Sequence, residues 1–347
     1  MHNTKVGVDL AEKVIQVCVF RKKSVNSNKE MSPETFMDCL ANSKPMTVVF
    51  EACGTSNYWM QKAQEHGHDA RLISAKLVET VRQNQKTDKN DALAVIQAAM
   101  LPDVNFISGK TPAQQQLQSM QRMRELAIKN RDALKKQLRS LLLELGIRTG
   151  NKKGGMLMAI DEVLEDADNG LTGEFRRALH TAREQLSVAI ETVKAYESGL
   201  ESAIKLHHDC KELLKLESVG PVNAVNLYMT LACNDSEVFS KGKDAAACIG
   251  LTPLQHSSGG KTKIGSIGKK VKNSMLRSQL ITGAMAVVQQ LKERPAKTEK
   301  EVWLKGVIER RGKKRAAVAL ANKTVRTAFA MLRDGTEYVT KPLVVTA

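Results

Sequence analysis

Residues 5–20 read KVGVDLAEKVIQVCVF. Lys5–Asp9 and Val14–Phe20 are short runs rich in β-branched residues with four residues between them, a spacing that predicts a β-hairpin. Downstream the pattern changes to alternation. Ser32-Pro33-Glu34 opens a helix with a capping residue and proline in the first turn. Met46–Glu51 (MTVVFE) is a buried-type strand, and Gly54–Ser56 leads into a helix around Asn57–His66. Ala70–Ser74 is a further strand, followed by helical stretches near Lys76–Gln83 and Lys89–Met100. The order β-β-(β)-α-β-α-β-α implies a mixed sheet flanked by helices.

Beyond this block the chain turns helical. In Pro112–Gly146, Leu134, Leu138, Leu141 and Leu145 recur at 4-3-4 spacing, and Gly150–Gly155 (GNKKGG) is expected to be a mobile loop. Phe175, Leu179, Ala182, Leu186, Ala189, Val193, Tyr196, Leu200, Ala203, His207, Cys210 and Leu214 then keep 4-3 register. Such a seam predicts a coiled coil, a rod on the order of 60 Å that pairs with 112–146 or with a second copy. Leu216–Val222 followed by Ala224–Ala232 reads as helix, tight turn, helix. This is either a helix-hairpin-helix, whose amides hold a phosphate, or a plain helical turn. A Gly/Ser/Lys-rich stretch, Gly250–Lys272, precedes a helix over Asn273–Leu291, and a basic run spans Arg310–Arg315. Three domains are expected: 1–110, 111–212 and 213–347.

The 347 residues include 53 Lys+Arg and 37 Asp+Glu, a net charge of +16. A hydrophobic content of 42% excludes a disordered chain, and no apolar run is long enough to span a bilayer. Met1–Lys5 has no secretory character, and the six cysteines show neither C-x-x-C nor close spacing. They are expected to be buried thiols of a cytoplasmic protein, and His66-x-His68 a surface turn. Residues 241–347 hold 22 Lys+Arg against 7 Asp+Glu, whereas the first 240 hold 31 against 30. A basic third on a neutral scaffold predicts a polyanion-binding module. Aromatic residues at 4% make phosphate contacts, rather than base stacking, its main binding mode.

Two groups of residues could carry chemistry. Asp9 and Glu51 end predicted strands, and Asp88 and Asp91 share a helical face in KTDKND. Carboxylates gathered on one sheet edge repel one another unless cations intervene, so this arrangement suits two Mg²⁺ ions acting on a phosphoryl group. Each is also readable as a surface charge, and Asp88 as an N-cap. In the second group, glycines 250, 259, 260, 265 and 268 surround Ser257 and Ser258, with Lys261, Lys263, Lys269 and Lys270 supplying charge. Three roles are open to a serine there: phosphate ligand, turn residue or nucleophile. His256 lies beside these serines, and the four tyrosines lack the Arg/His surroundings of a tyrosine recombinase.

GVDLAEKVIQVCVF (7–20), FEACGTSNYW (50–59) and KTDKNDALAV (86–95) together resemble the N-terminal domain of the DEDD transposases of bacterial insertion sequences. LESVGPVNAVNLYMTLA (216–232) and AACIGLTPLQHSSGGKTKIGSIGKKVKNSMLRSQL (246–280) resemble the same family's C-terminal domain. The family is related to the pilin-gene invertases. The resemblance implies an α/β RNase H-like (RuvC-like) N-terminal domain, a long helical coiled coil and a mainly α C-terminal domain. It implies that Asp9, Glu51, Asp88 and Asp91 are a catalytic tetrad holding Mg²⁺ or Mn²⁺. The serine five residues after the proline of GLTP, Ser258 with Ser257 adjacent, is implied as the nucleophile. Expected partners are donor and target DNA, a structured guide RNA, and further copies of the chain in dimers and tetramers. Lys261, Lys263, Lys269, Lys270, Lys272, Arg277, Arg310 and Arg311 would grip nucleic-acid backbones. The competing readings are a RuvC-type nuclease of branched DNA and a non-catalytic nucleic-acid-binding coiled-coil protein.

Overall fold

The computed structural model describes residues 4–150, 155–232, 239–268 and 274–343. The N-terminal block contains β1 (Thr4–Leu10), β2 (Ile15–Arg21), β3 (Ser24–Met31), α1 (Pro33–Asn42), β4 (Thr47–Glu51), α2 (Ser56–Glu65), β5 (Asp69–Ile73), α3 (Ala75–Val81) and α4 (Asp88–Ala99). The five strands form one sheet in the order β3-β2-β1-β4-β5. β1 is antiparallel to β2 and β2 to β3, whereas β1–β4 and β4–β5 are parallel. Lys22 and Lys23 both adopt positive φ (48° and 67°), closing β2 onto β3 in a two-residue turn.

The sheet buries both faces. Val6, Val8, Ile15, Val17, Val48, Phe50 and Leu72 pack with Phe36 and Leu40 of α1 and Trp59, Met60 and Ala63 of α2. On the other face, Val49 and Ile73 pack with Val78 of α3 and Ala94, Val95 and Ala98 of α4. Cys18 meets Ala92 and Ile96 on that face. Gly7 governs this contact. A Cβ there would lie 2.4 Å from the Ala92 carbonyl and 2.5 Å from Ile96, so glycine lets α4 press directly onto β1. That close approach fixes where the first turn of α4 sits.

Residues Gln115–Lys211 form a compact unit of their own; 1–114 and 212–347 cluster as another. The former holds most of α5 (Pro112–Glu144), α6 (Gly155–Glu165) and α7 (Gly173–Ile204). Leu138 and Leu142 of α5, Met156, Ile160 and Val163 of α6, and Leu179 and Leu186 of α7 form its core. Met120 lies against Gly199, and Arg124 donates to Glu197 at 2.6 Å. Low numbers on α5 therefore meet high numbers on α7, and the two helices run antiparallel within one chain. The seam is buried at Leu179, Leu186, Val193 and Leu200, every seventh residue. The continuous rod expected over 175–214 is broken. α7 ends at Ile204, where Leu206 N bonds Ala203 O and His207 N bonds Ile204 O, tightening the last turn. Cys210 and Leu214 belong to the segment beyond. Residues 151–154 of the expected GNKKGG loop lie outside the described residues.

The C-terminal third contains α8 (His208–Leu213), α9 (Pro221–Leu231), α10 (Gly242–Cys248), β6 (Pro253–Ser258), β7 (Lys261–Ile267), α11 (Ser274–Glu293), α12 (Glu299–Arg311) and α13 (Lys313–Asp334). A mainly helical segment was expected; an antiparallel β-hairpin interrupts it. Gly259 and Gly260 at φ 56° and 73° make its two-residue turn, which is why a glycine-rich stretch becomes sheet rather than loop. The turn before α9 faces inward. Ser218 is buried, its hydroxyl 2.9 Å from Thr324 Oγ1, and its carbonyl lies where a Cβ on Gly283 would fall at 2.4 Å. It packs α9 against α11 and α13. Among the described residues, no helix is long and apolar enough to cross a membrane.

Candidate active site

Asp9 lies at the end of β1 and Glu51 ends the neighbouring parallel strand β4, so both reach the same sheet edge. Strand alternation puts Asp9 on the face of Gly7 and Glu51 on the face of Val49, the face that α4 covers. The first turn of α4 adds Asp88 and Asp91. Thr87, not Asp88, is the N-cap: its hydroxyl accepts from Asn90 N at 3.3 Å. Asp88 is thereby spared for another role.

The four carboxylates act on one another. Burial raises the Asp9 carboxyl above its ordinary value, and Asp91 and Asp88 raise it further, with Lys86 opposing. Glu51 is likewise raised, by burial and then by Asp9 and Asp91, against Lys86 and Arg82. Asp91, whose side chain is 9% exposed, forms an ion pair with Arg82 at 2.7 Å. Among the described residues, no three Asp, Glu, His or Cys side chains meet in the geometry of a preformed metal cage. The donor set is nevertheless all oxygen and carries excess negative charge at half-buried positions. That is the chemistry a hard divalent cation relieves when substrate oxygens and water complete its shell.

Arg82 carries no sequence signal, and Lys86 is visible only as the first residue of KTDKND. Gln16 had one, a polar residue inside the apolar run VIQVCVF. It is the cross-strand partner of Asp9 and 1% exposed. Gln16 Nε2 donates to Asn28 Oδ1 at 2.7 Å, and Asn28 Nδ2 donates to Lys89 O at 2.9 Å. This relay ties β2 and β3 to the first turn of α4, between its two aspartates. Gln16 Oε1 is buried without a partner among the described residues.

The serines sit elsewhere. Every residue of β6 and β7 is exposed. Ser258 pairs with Lys261 and His256 with Lys263, so alternation gathers Ser258, His256, Lys261 and Lys263 on one face of the hairpin. Ser257 is on the other face, its hydroxyl 3.5 Å from Thr262 Oγ1. Ser258, next to the Gly259-Gly260 turn, is the serine that shares a face with the cations. The charges that act on Asp9 and Glu51 come from one another and from residues 82–91, and the structure does not bring the hairpin among them.

Lys269, Lys270 and Lys272 lie outside the described residues. Arg310 and Arg311 are exposed at the end of α12. Arg277 has a structural task, donating from Nε to Gly250 O at 3.0 Å. Two simpler expectations fail. His68 is buried, 3.4 Å from Met46 N and 2.8 Å from Leu40 O, because the chain before β5 turns inward to meet β4. Cys18 and Cys210 are buried, but Cys53 and Cys248 are exposed because they fall on a loop and on the outer face of α10.

Comparison with known proteins agrees with this architecture. Residues 6–147 match the IS110-type DEDD transposase model, described as a transposase, and residues 210–300 match the model described as "Transposase IS116/IS110/IS902 family". The chain is 34% identical over 328 residues to the transposase for insertion sequence element IS1111A of Coxiella burnetii, covering 94% of this chain and 89% of that protein. It is 31% identical over 340 residues to a probable family 20 transposase of Pseudomonas aeruginosa, covering 97% and 99%. With a gathered acidic edge, a lysine-flanked serine hairpin and full-length relatives of this kind, the chain belongs to the DEDD transposase family of the IS110 type.

Proposed function

We propose that the chain exchanges DNA strands through a covalent phosphoserine intermediate formed at Ser258. The observation that carries this reading is the convergence of Asp9, Glu51, Asp88 and Asp91 at one sheet edge, where Asp91 and Asp88 add to the cost of ionising Asp9, and Asp9 and Asp91 to that of ionising Glu51. Ser258 Oγ attacks phosphorus, the bond from phosphorus to the leaving sugar oxygen breaks, and that oxygen departs as a hydroxyl after taking a proton. A hydroxyl of the incoming strand then attacks the phosphoserine, restoring the serine and closing the new phosphodiester. Bond energy is conserved between the two steps, so no nucleotide cofactor is consumed. Lys261 and Lys263, on the Ser258 face with His256, neutralise the phosphate that the hydroxyl must approach. Bound Mg²⁺ or Mn²⁺, held by Asp9, Glu51, Asp88 and Asp91, would stabilise charge on the attacking and leaving oxygens. Asp91 would supply the most buried ligand, Asp9 and Glu51 half-buried ones, and Asp88 the rim of the site.

The substrates in this reading are donor and target DNA, selected by a structured RNA that pairs with both. The hairpin is fully exposed and lacks the four acids around it, which favours an assembly of copies, dimers and synaptic tetramers, with the seam of α7 and α5 as a coiled-coil connector. The protein would act in the bacterial cytoplasm, on the nucleoid.

The test is a denaturing gel of full-length protein with labelled element-junction DNA, guide RNA and Mg²⁺. A protein–DNA adduct that Ser258→Ala removes and Ser257→Ala preserves is expected. Cleavage without an adduct, unaffected by Ser258→Ala, would instead establish a RuvC-type nuclease using activated water. Excision and insertion unchanged in Asp9→Asn and Asp88→Asn would make the protein a non-catalytic binder.

A further inference from the structure

A cavity of about 1810 Å³ opens between the serine hairpin and α13, walled by β7 residues Ile264–Ile267 and by the starts of α10 and α13. Nine Lys and Arg side chains line it, and no carboxylate is among its described lining residues. Its floor is one stripe of α13. That helix buries Ala316, Ala317, Leu320, Ala321, Val325 and Ala328, and its opposite stripe, Arg315, Ala319, Asn322, Arg326, Ala330 and Arg333, faces the cavity. Arg315 to Arg333 is a length of about 27 Å at 1.5 Å per residue, enough to run along several nucleotides. Lys243, Arg311, Arg315 and Arg326 have no ion-pair partner among the described residues. Arg333 is partly neutralised by Asp334 at 2.6 Å.

The walls are anchored. A Cβ on Gly242 would lie 3.2 Å from Arg326 Cα, so glycine seats the start of α10 directly on α13. Asn322 donates to Leu251 O at 3.1 Å, tying α13 to the segment entering β6. The Arg277 guanidinium bonds Gly250 O and lies where a Cβ on Gly268 would fall at 2.5 Å, which holds both ends of the hairpin. The cation stripe and the serine are therefore parts of one connected structure. From Ile264 to the Ser258-paired Lys261 is about 10 Å along β7.

We infer that this cleft is a binding site for a single-stranded phosphodiester backbone, holding the strand a few nucleotides from the one that Ser258 engages. The proposal rests on the reading of Ser258 as the reacting hydroxyl only for that adjacency. The volume exceeds the roughly 300–1,000 Å³ of a small-molecule pocket, and the cations of α13 form one stripe, which matches one backbone rather than the two of a duplex. Phosphate, not base, is what it recognises. Trp303 is an aromatic of the lining, and Lys323 Nζ already covers its ring at 4.4 Å. Such a grip tolerates any sequence, as a protein that takes its specificity from another strand requires. A DNA strand and an RNA strand present the same chemistry here.

The experiment measures binding of full-length protein to labelled oligo(dT), oligo(rU) and a duplex of equal length across a salt series. All variants are made with and without Ser258→Ala, so the readout needs no adduct and survives failure of the phosphoserine reading. Arg315→Glu with Arg326→Glu should weaken single-strand binding by on the order of 10–100-fold and lower the slope against log salt by about 1.4, two contacts at 0.7 each. The same charge change at exposed Lys129 and Arg139 of α5 should shift affinity less than about twofold at a salt level that screens distant charge. Ala319→Trp, which fills the cleft and keeps every cation, should also weaken binding, with unchanged circular dichroism. Loss confined to oligo(dT) or to oligo(rU) identifies the natural strand. Equal effects of the cleft and α5 variants, or duplex binding tighter than single-strand binding and indifferent to Ala319→Trp, would overturn the inference.

Discussion

The acidic edge and the serine hairpin are built in opposite ways. Asp9 and Glu51 stand on strands buried on both faces, pressed beneath a helix that Gly7 admits to van der Waals contact. Ser258 stands on two strands with every residue exposed, tied down only at the base. A two-stranded hairpin without a covered face is marginal by itself. The difference teaches that the acids are positioned by folding, whereas the hydroxyl is positioned by what it meets. The largest effects should expose this division. Asp9→Asn and Ser258→Ala should each lower strand exchange by on the order of 10³-fold or more, measured as recombinant product. Only the first should change the melting temperature, because only Asp9 is embedded in packed structure. An equal thermal shift in both variants would erase the distinction.

The Gln16–Asn28 relay gives a finer test. Asn28→Ala removes the donor to Lys89 O and leaves Gln16 Nε2 without its acceptor. Outer-shell partners of metal ligands are typically worth 10–100-fold in affinity. The apparent affinity for Mn²⁺, read by isothermal titration on the apoprotein, should fall within that range. Asn28→Gln should restore part of it, and adduct formation at saturating metal should recover. Loss of folded protein in place of weaker binding would reduce the relay to a structural role.

How much of this was legible follows from the same contrast. The strands and helices of residues 5–100 declared themselves through β-branched runs and a capping serine followed by proline, and the acids through their places at element ends. Their gathering on one sheet edge followed from the alternating element order, whereas which strands lie side by side needed sheet order, which no local pattern carries. β3 was only half visible because its sequence, SVNSNKEM, is polar on an exposed edge. The β2–β3 turn was hidden because lysines, not Asn-Gly, take the positive φ. In the central helical unit the heptad spacing runs on through Leu214 although the helix stops at Ile204: period predicts a face, not where hydrogen bonding ends. Gly250–Lys272 concealed a hairpin because side chains exposed on both faces leave no hydrophobic alternation to read.

Glycine substitutions should separate the two regions at smaller amplitude. Gly7→Ala places a methyl 2.4 Å from the Ala92 carbonyl, and overpacking of this kind costs about 1–3 kcal/mol. Urea unfolding should show that loss, along with weaker metal binding as α4 is pushed from β1. Gly259→Ala strains a left-handed residue at φ 56° by roughly 1–2 kcal/mol, with nothing within 4 Å of the added carbon. That strain should appear in adduct yield and leave the global midpoint unmoved, since the hairpin unfolds locally.

The smallest effect concerns pH. Burial, Asp91 and Asp88 raise the Asp9 carboxyl, so the folded state binds its proton more tightly than the unfolded state does. Above the folded value Asp9 is ionised in both states, and its charge costs stability. Below the unfolded value near 3.8 it is protonated in both, and that cost is gone. Asp9→Asn should therefore raise the metal-free melting temperature by a few degrees at neutral pH. The advantage should shrink as pH falls through the raised Asp9 value toward the ordinary carboxylate range. Saturating Mg²⁺ should reverse the order at neutral pH, because the cation stabilises only the chain that keeps its carboxylate. If Asp9→Asn melts lower at neutral pH without metal, Asp9 is a structural anchor and the acidic edge is not held together against its own repulsion.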